Sequence, residues 1–241
     1  MTIDRIAPTK RPSGRNQGTQ RWESLLFCHW EITLEEIRPL VPKGLEIDLF
    51  DGSAFVGLVP FKMRAIRPPW LPKQLAFNFY ETNVRTYVTH NGRPCVYFFS
   101  CDASSFLAVQ AARLGWSLPY IYAKMSHQDF PSKTAYECRR NSGSASSYVE
   151  FSIGEQMGHA KSGSLEHFLF ERYLLYVERK GSISVGQVHH SPYEVYQAEV
   201  LRIEDTLVQS AGFANPTDRP ALTHFSPGVD VEIFGVRPAG E

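Results

Sequence analysis

The sequence lacks any apolar run that approaches the roughly 20 residues that a membrane-spanning helix requires. It also lacks an excess of either charge, because 25 Lys and Arg residues match 25 Asp and Glu residues. Proteins that bind nucleic acid through its phosphates usually carry a basic surplus. We therefore expect neither a membrane nor a nucleic acid as a partner.

Cysteine is also scarce. The chain has four, Cys28, Cys95, Cys101 and Cys138, and their spacing fits neither a zinc signature nor a disulfide framework. No signal-peptide apolar stretch stands at the N-terminus. Buried free thiols in a reducing compartment are the expected state, and we predict a cytoplasmic location.

Motifs that bind common cofactors or provide a serine nucleophile are missing as well. We find no P-loop, no GxGxxG and no GxSxG sequence. Two of the histidines, His189 and His190, are adjacent, so on a strand they face opposite sides and cannot readily share one metal ion. The sequence predicts no cofactor and no metal.

The chain is predicted to hold one domain preceded by a tail. Residues 1–18 are rich in polar residues and in Pro and Gly, and they are expected to form a flexible basic segment. Its four basic residues are Arg5, Lys10, Arg11 and Arg15. After Trp22 no linker, repeat or low-complexity stretch interrupts the sequence, so residues 19–241 are assigned to a single domain.

Strands dominate the predicted secondary structure. An Asp-Gly pair predicts a hairpin turn between strands 45–50 and 54–61, and an Asn-Gly pair predicts another between 77–90 and 94–101. Many strands with tight hairpins and few helices are typical of an antiparallel barrel or a layered sheet.

The predicted helices are short. Thr33 and Glu36 have the spacing of a capping box, which begins a helix. Ser104 or Ser105 is expected to begin a second helix, and Gly115 to end it in the left-handed conformation that glycine favours.

Several segments between residues 22 and 237 carry a family resemblance through their order and spacing. They include FVGLVPFKM at 55–63, ETNVRTYV at 81–88, LPYIYAKM at 118–125, LEHFLFERYLLY at 165–176 and HFSPGVD at 224–230. Together they resemble the YqjF-like proteins, an uncharacterised bacterial family within the acetoacetate decarboxylase-like superfamily. The resemblance implies an α+β, predominantly antiparallel β fold of that type, either a barrel or a layered sheet, with a few short helices packed outside.

The sequence also resembles acetoacetate decarboxylase itself, and the positions at which the two differ are informative. The segment around Glu81 is similar to the one that carries an active-site glutamate in that enzyme. The stretch that carries its Schiff-base lysine and a neighbouring lysine resembles residues 118–123 here, where Tyr120 and Ile121 take the two lysine positions. Neither side chain can form an imine, which requires a primary amine. The resemblance thus implies that the glutamate is kept and the lysine chemistry is lost.

Alternation along the strand that contains Glu81 predicts a polar face. Glu81, Asn83 and Arg85 point to the same side of a strand. One interpretation is a pocket in which Arg85 binds a carboxylate through its planar fork. The other is a solvated sheet face whose charges pair with neighbouring strands. The sequence leaves both open.

Other residues are candidates for the same pocket. Tyr122 shares the side of Tyr120 if residues 118–125 form a strand, and Arg21 and His29 come from the first predicted strand. Lys124 lies in an apolar neighbourhood and is the alternative imine-forming residue.

The leading hypothesis is a small-molecule-binding domain that acts by acid–base chemistry on a keto or enol acid. Glu81 would be the base and Tyr120 a hydrogen-bond donor. The expected ligand is a small organic compound with a carboxylate or carbonyl group. Two alternatives stay open, namely a decarboxylase or aldolase that uses Lys124, and a non-catalytic sensor or assembly module. The sequence also leaves open whether the chain forms a homo-oligomer.

Overall fold

The computed structural model describes residues 3–179, 182–213 and 219–239, and strands make up most of these ranges. The strands are β1 (Gly18–Ile32), β2 (Glu46–Ile47), β3 (Ala54–Arg67), β4 (Phe77–His90), β5 (Arg93–Ala103), β6 (Tyr120–Asp129), β7 (Thr134–Arg140), β8 (Ser146–His159), β9 (Leu174–Arg179), β10 (Ser182–His190), β11 (Glu194–Asp205) and β12 (Leu222–Pro238). The helices are α1 (Leu34–Ile37), α2 (Phe106–Trp116), α3 (Leu165–Phe170) and α4 (Leu207–Ser210), with 3-10 turns at Ala7–Thr9, Arg38–Leu40 and Lys73–Leu75.

All of these strands belong to one sheet with the order β10-β9-β5-β6-β7-β8-β11-β12-β1-β3-β4-β2. Two further pairings, β4 with β5 and β10 with β12, fold the sheet back on itself. The pairs are antiparallel except for β5 with β6 and β5 with β9. The predominantly antiparallel α+β fold predicted from the sequence is confirmed, although the sheet is branched and does not form a clean barrel.

The folded sheet encloses two apolar clusters, because successive residues of a strand face opposite sides. The first core includes Leu26, Val56, Leu58, Val84 and Val88. The second core includes Leu25, Val59, Phe61, Phe79 and Val96. Strands β1, β3 and β4 contribute to both clusters, so each of these strands is buried on both faces over much of its length.

The predicted helix starts are confirmed, and one predicted helix end is wrong. Thr33 forms the capping box of α1, and the Ser105 side chain accepts a hydrogen bond from within α2. Helix α2 continues through Gly115, and Ser117 takes the left-handed conformation in its place, with φ 55°. A glycine inside a helix costs only about 1 kcal/mol relative to alanine. Extending the helix lets Trp116 pack against the second core.

The hairpin predicted between strands 45–50 and 54–61 is also wrong. Its Asp-Gly turn does form, and Phe50 and Ser53 exchange backbone hydrogen bonds of 3.0 and 2.9 Å across it. However, β2 pairs with β4, while β3 pairs with β1 on one edge and β4 on the other. Both edges of β3 are taken by long strands, so no edge remains for β2. The Asn-Gly hairpin between β4 and β5 is confirmed by the pairing of His90 with Arg93.

The basic N-terminal segment contacts the domain through two arginines. Arg5 forms a two-bond ion pair with Asp48, at 2.6 and 2.7 Å, and Arg11 pairs with Glu232 at 2.6 Å. The division into a flexible tail and a single domain stays a prediction. Within the described ranges, no helix combines the length and the apolar character needed to cross a membrane.

Candidate functional site

A cavity of about 470 Å³ lies in the second core beneath α2. Strand β4 supplies five alternate residues to its wall, Phe77, Phe79, Glu81, Asn83 and Arg85. The intervening residues face the other side, because the side-chain period of a strand is two. Alternation in the sequence therefore brings the three polar residues into one cavity, as the pocket interpretation predicts.

The Glu81 and Tyr120 side chains meet in this cavity although they come from strands that are not neighbours. Strand β5 lies between them, with Ala103 opposite Glu81 and Cys101 beside Tyr120. These two small side chains leave space above β5, and the longer side chains reach each other across it. The Tyr120 hydroxyl donates a hydrogen bond of 2.6 Å to Oε2 of Glu81.

Burial controls the electrostatics of this pair. Glu81 is only 4% exposed, and loss of hydration raises its pKa to about 7, against the hydrogen bonds from Tyr120 and Asn83 that lower it. Burial also raises the pKa of Tyr120 well above its ordinary value, and the neighbouring Glu81 charge adds to this effect. Near neutral pH the phenol is therefore protonated, while Glu81 populates both the acid and the carboxylate form. A group in that state can take up or release a proton.

Arg85 lies farther along β4 as a buried cation. It donates to the Leu169 carbonyl at 3.2 Å and to the Tyr87 hydroxyl at 3.4 Å, and its Nε has no hydrogen-bond partner in the described residues. No ion pair with Arg85 is found in the part of the chain that the structure describes. On β3, Gly57 stands opposite Arg85, and the missing side chain leaves room for the His29 ring.

Arg172 is a second buried cation in the cavity wall, although its place at the junction of α3 and β9 indicates only a structural role in the sequence. It donates to Asp48 at 2.7 Å and to the Phe168 carbonyl at 2.6 Å. Burial lowers the pKa of Arg172, and the charge of Asp48 opposes that change. The one signal in the sequence was Asp48 itself, an acidic residue within an apolar segment that needs a buried partner.

Three further polar atoms of the wall have no partner among the described residues. They are Nε1 of Trp22, Oδ1 of Asn83 and Nη2 of Arg172. Buried polar groups are nearly always hydrogen-bonded, and exceptions point to a site that another molecule completes. The polar end of the cavity thus offers both a hydrogen-bond acceptor and cationic donors.

Two of the predicted ligand-binding residues lie near the cavity but do not line it. His29 is fully buried, and its Nε2 is 2.6 Å from the Tyr87 hydroxyl. Burial lowers the pKa of His29 well below its ordinary value, so it is neutral. Tyr122 is partly buried and packs edge-on against Phe106 of α2, with ring centroids 5.8 Å apart.

Two other candidates lie at the surface. Arg21 forms ion pairs with Glu23 and Asp230, at 2.9 and 3.1 Å, and its side chain is 41% exposed. Lys124 is exposed on β6 and does not line the cavity. The structure therefore brings Glu81, Tyr120 and Arg85 together, and it places the other four predicted residues outside.

Solved structures share this architecture. A structure described as acetoacetate decarboxylase superposes with a TM-score of 0.65 at 12% identity, over 93% of this chain and 90% of that chain. The acetoacetate decarboxylase of Legionella pneumophila gives 0.63 at 11% identity, over 97% and 94%. The enduracididine biosynthesis enzyme MppR, solved with pyruvate, gives 0.65 at 10% identity, over 94% and 91%. At such identities the likeness shows the fold alone, which is that of the acetoacetate decarboxylase-like proteins.

The sequence comparisons give the family within that class. Residues 19–230 match the family DUF2071, described as an uncharacterized conserved protein. The uncharacterized protein YqjF of Bacillus subtilis (strain 168) is 34% identical over 225 residues, which are 90% of this chain and 90% of YqjF. The chain belongs to the DUF2071 family, and the resemblance to YqjF-like proteins inferred from the sequence motifs is confirmed.

Proposed function

We propose that this protein binds a small organic acid with a carbonyl group and transfers a proton at the carbon beside that carbonyl. One observation carries the proposal: the buried Glu81–Tyr120 pair, joined at 2.6 Å, shares a cavity with Arg85. An acid–base group and a cation for the ligand carboxylate are thereby present in the same cavity. The fold neighbour MppR was solved with pyruvate, an acid of this class.

Arg85 supplies the binding half of the site. A buried guanidinium without an anionic partner is costly, and a ligand carboxylate would compensate its charge. Planar carboxylates suit the two-pronged donor geometry of arginine. The ligand carboxylate is therefore assigned to Arg85 and the carbonyl to Glu81, two residues that lie ~13 Å apart along β4 and whose side chains must converge on the ligand.

Glu81 and Tyr120 supply the chemical half. The Glu81 carboxylate takes a proton from the carbon beside the carbonyl, and the C–H electron pair forms a carbon–carbon double bond as the carbonyl electrons move to oxygen. Once Glu81 holds that proton, the Tyr120 hydroxyl is free to donate to the new enolate oxygen. Return of the proton to carbon or to oxygen completes an exchange or a tautomerisation, and no oxidant or reductant is consumed.

An imine mechanism receives less support. No lysine lines the cavity among the residues that the structure describes. Lys124 is exposed and lies four residues farther along β6 than Tyr120, outside the cavity wall. The wall carries Tyr120 at the place where the resemblance puts a lysine, which favours acid–base chemistry.

The test is deuterium exchange into pyruvate or 2-oxobutanoate in heavy water, followed by proton NMR. We expect exchange catalysed by the wild type, with a rate that rises with pH through about 7 as Glu81 loses its proton. Glu81→Gln should lower the rate by about 10²- to 10⁴-fold, the usual contribution of a general base. Tyr120→Phe should lower it less, and Lys124→Ala serves as the control.

Two results would change the proposal in different ways. Binding without exchange would leave a non-catalytic sensor or binding module. No binding of either acid, by the wild type or by any variant, would overturn the assignment of the cavity to keto acids.

A further inference from the structure

The cavity has a polar end and an apolar end, and β4 runs from one to the other. Its wall residues change in order from Phe77 and Phe79 through Glu81 and Asn83 to Arg85. At roughly 3.3 Å per residue, Phe77 lies ~13 Å along the strand from Glu81. The cavity therefore extends well beyond the acid–base pair, in the direction away from the arginine.

The neighbouring strand β3 is also apolar at this end of the cavity. On β3, Ile66 stands opposite Phe77, and Met63 stands opposite Phe79. Both of these β3 residues line the cavity. The wall beyond Glu81 thus consists of apolar side chains on two adjacent strands.

Helix α2 contributes three small side chains to the cavity wall. Ala108, Ala111 and Ala112 line the cavity between the larger Leu107 and Trp116 of the same helix. A helix that carried larger residues at these positions would fill the space with its own side chains, since protein interiors are close-packed. The alanines leave this space open for a ligand.

The apolar end is also the end that meets solvent. Phe77 is 53% exposed and Leu107 is 70% exposed, although both line the cavity. By contrast, Glu81 and Arg85 at the polar end are buried. A ligand that enters here places its polar group inside first and leaves its remainder along the apolar wall.

We infer that the natural ligand is an amphipathic acid, with a keto-acid head at Glu81 and Arg85 and a medium-length acyl chain or ring system between α2 and strands β3 and β4. The inference rests on the proposed function and specifies its substrate class. A molecule as small as pyruvate would occupy only the polar end of a cavity of about 470 Å³. Pyruvate would leave the apolar wall without contacts, whereas the acyl chain of a longer ligand would bury that wall.

The experiment measures binding of straight-chain 2-oxo acids, from pyruvate to 2-oxodecanoate, by isothermal titration calorimetry on the full chain. We expect affinity to rise about fourfold for each added methylene that is buried. The rise should stop once the chain reaches the exposed mouth at Phe77 and Leu107.

A variant distinguishes binding at the apolar end of the cavity, called the tail site, from binding of the keto-acid group at Glu81 and Arg85. Ala112→Phe places a large side chain under α2 and should weaken binding of 2-oxodecanoate about tenfold or more, because it fills the apolar space. Binding of pyruvate should weaken much less, and an unchanged far-UV circular dichroism spectrum shows that the variant is folded. Leu114→Phe is the matched control, since Leu114 lies on the same helix, is exposed and does not line the cavity.

The outcomes distinguish this inference from the function on which it rests. If pyruvate binds and longer acids bind no more tightly, the tail site is refuted while the keto-acid site stands. If Ala112→Phe weakens pyruvate and 2-oxodecanoate equally, the chain does not lie under α2, and the inference fails. If no acid in the series binds, the proposed function itself fails.

Discussion

Two buried arginines face the same cavity, yet their surroundings differ. Arg172 is held by Asp48 at 2.7 Å, and Asp48 is also held by Arg5 of the N-terminal segment. Arg85 has a carbonyl and a hydroxyl as partners, and no carboxylate contacts it among the described residues. Arg172 thus belongs to an ion-pair cluster that connects distant segments and compensates its charge, although its Nη2 has no partner among the described residues. The proposed function assigns the compensation of Arg85 to a ligand.

An anionic partner is what distinguishes a structural buried charge from a candidate functional one. Both residues are buried and both line the cavity, so neither burial nor position distinguishes them. The presence or absence of an anionic partner does. Removal of a partner from a satisfied buried pair destabilises a fold, whereas removal of an unpaired buried charge need not.

The largest effect is expected where the satisfied pair is broken. Asp48→Ala leaves Arg172 buried without an anion and should lower the free energy of unfolding by about 3 to 5 kcal/mol. Urea denaturation followed by fluorescence measures this change. Arg5→Gln is the control, because the Arg5 side chain is 24% exposed and its loss should cost about 1 kcal/mol or less. Equal effects of the two substitutions would contradict the assignment of Asp48 as the partner of Arg172.

The next effect concerns Glu81, a buried carboxyl without a cationic partner in contact. Its pKa is about 7 in the folded chain, above the ordinary 4.5, so the folded state holds this proton more tightly than the unfolded state. The Glu81 contribution to stability is thus greatest below about pH 4.5 and falls as the pH rises toward 7, by about 3 kcal/mol at most.

Glu81→Gln removes this titration, so the variant should gain stability relative to the wild type as the pH rises. The measurement is the difference in unfolding free energy between the two proteins at about pH 5 and about pH 8. A difference that stays constant over that range would show that the carboxyl is not desolvated as the structure indicates.

A smaller effect on stability is expected at Arg85. Arg85→Met replaces an uncompensated buried cation with an apolar side chain of similar length, so the unfolding free energy should stay within about 1 kcal/mol of the wild type or rise. Binding of 2-oxo acids should weaken about tenfold or more, because the charge-assisted contact is lost. Destabilisation as large as that of Asp48→Ala would remove the contrast between the two arginines.

The smallest effect is expected at Lys124, an exposed cation that serves as a reference for both arginines. Lys124→Ala should change the unfolding free energy by no more than about 0.5 kcal/mol. It should leave acid binding and proton exchange unchanged. A borohydride-trapped adduct of acetoacetate on Lys124, detected by mass spectrometry, would restore the imine hypothesis that the geometry disfavours.

Some of the site could be predicted because it is encoded locally. The Asn-Gly turn and the alternation of the strand before it place Glu81, Asn83 and Arg85 on one side of β4, and the structure agrees. Tyr120 was proposed as a site residue only through the family resemblance, since nothing in its own segment shows that it contacts a glutamate across β5. Arg172 could not be found in this way, because its partner Asp48 is 124 residues away along the chain.

The predicted roles of Arg21 and His29 depended on which β1 residues meet the cavity. The register of β1 against β3 shifts between Glu23 and Cys28, so simple alternation does not hold along the whole strand. In the structure Arg21 pairs with surface carboxylates, while His29 lies against Tyr87 beyond the end of the wall.

Local sequence patterns define the strand-rich class, the N-terminal caps of α1 and α2, the β4–β5 hairpin and the side on which each β4 residue projects. These features depend on turn chemistry and on a side-chain period of two, which act over a few residues. Only the tertiary structure decided that the polar side of β4 encloses a cavity, that Glu81 loses its water, and that Arg85 has no carboxylate partner within the described residues. Burial and charge pairing depend on segments far apart in the chain, and no local pattern records them.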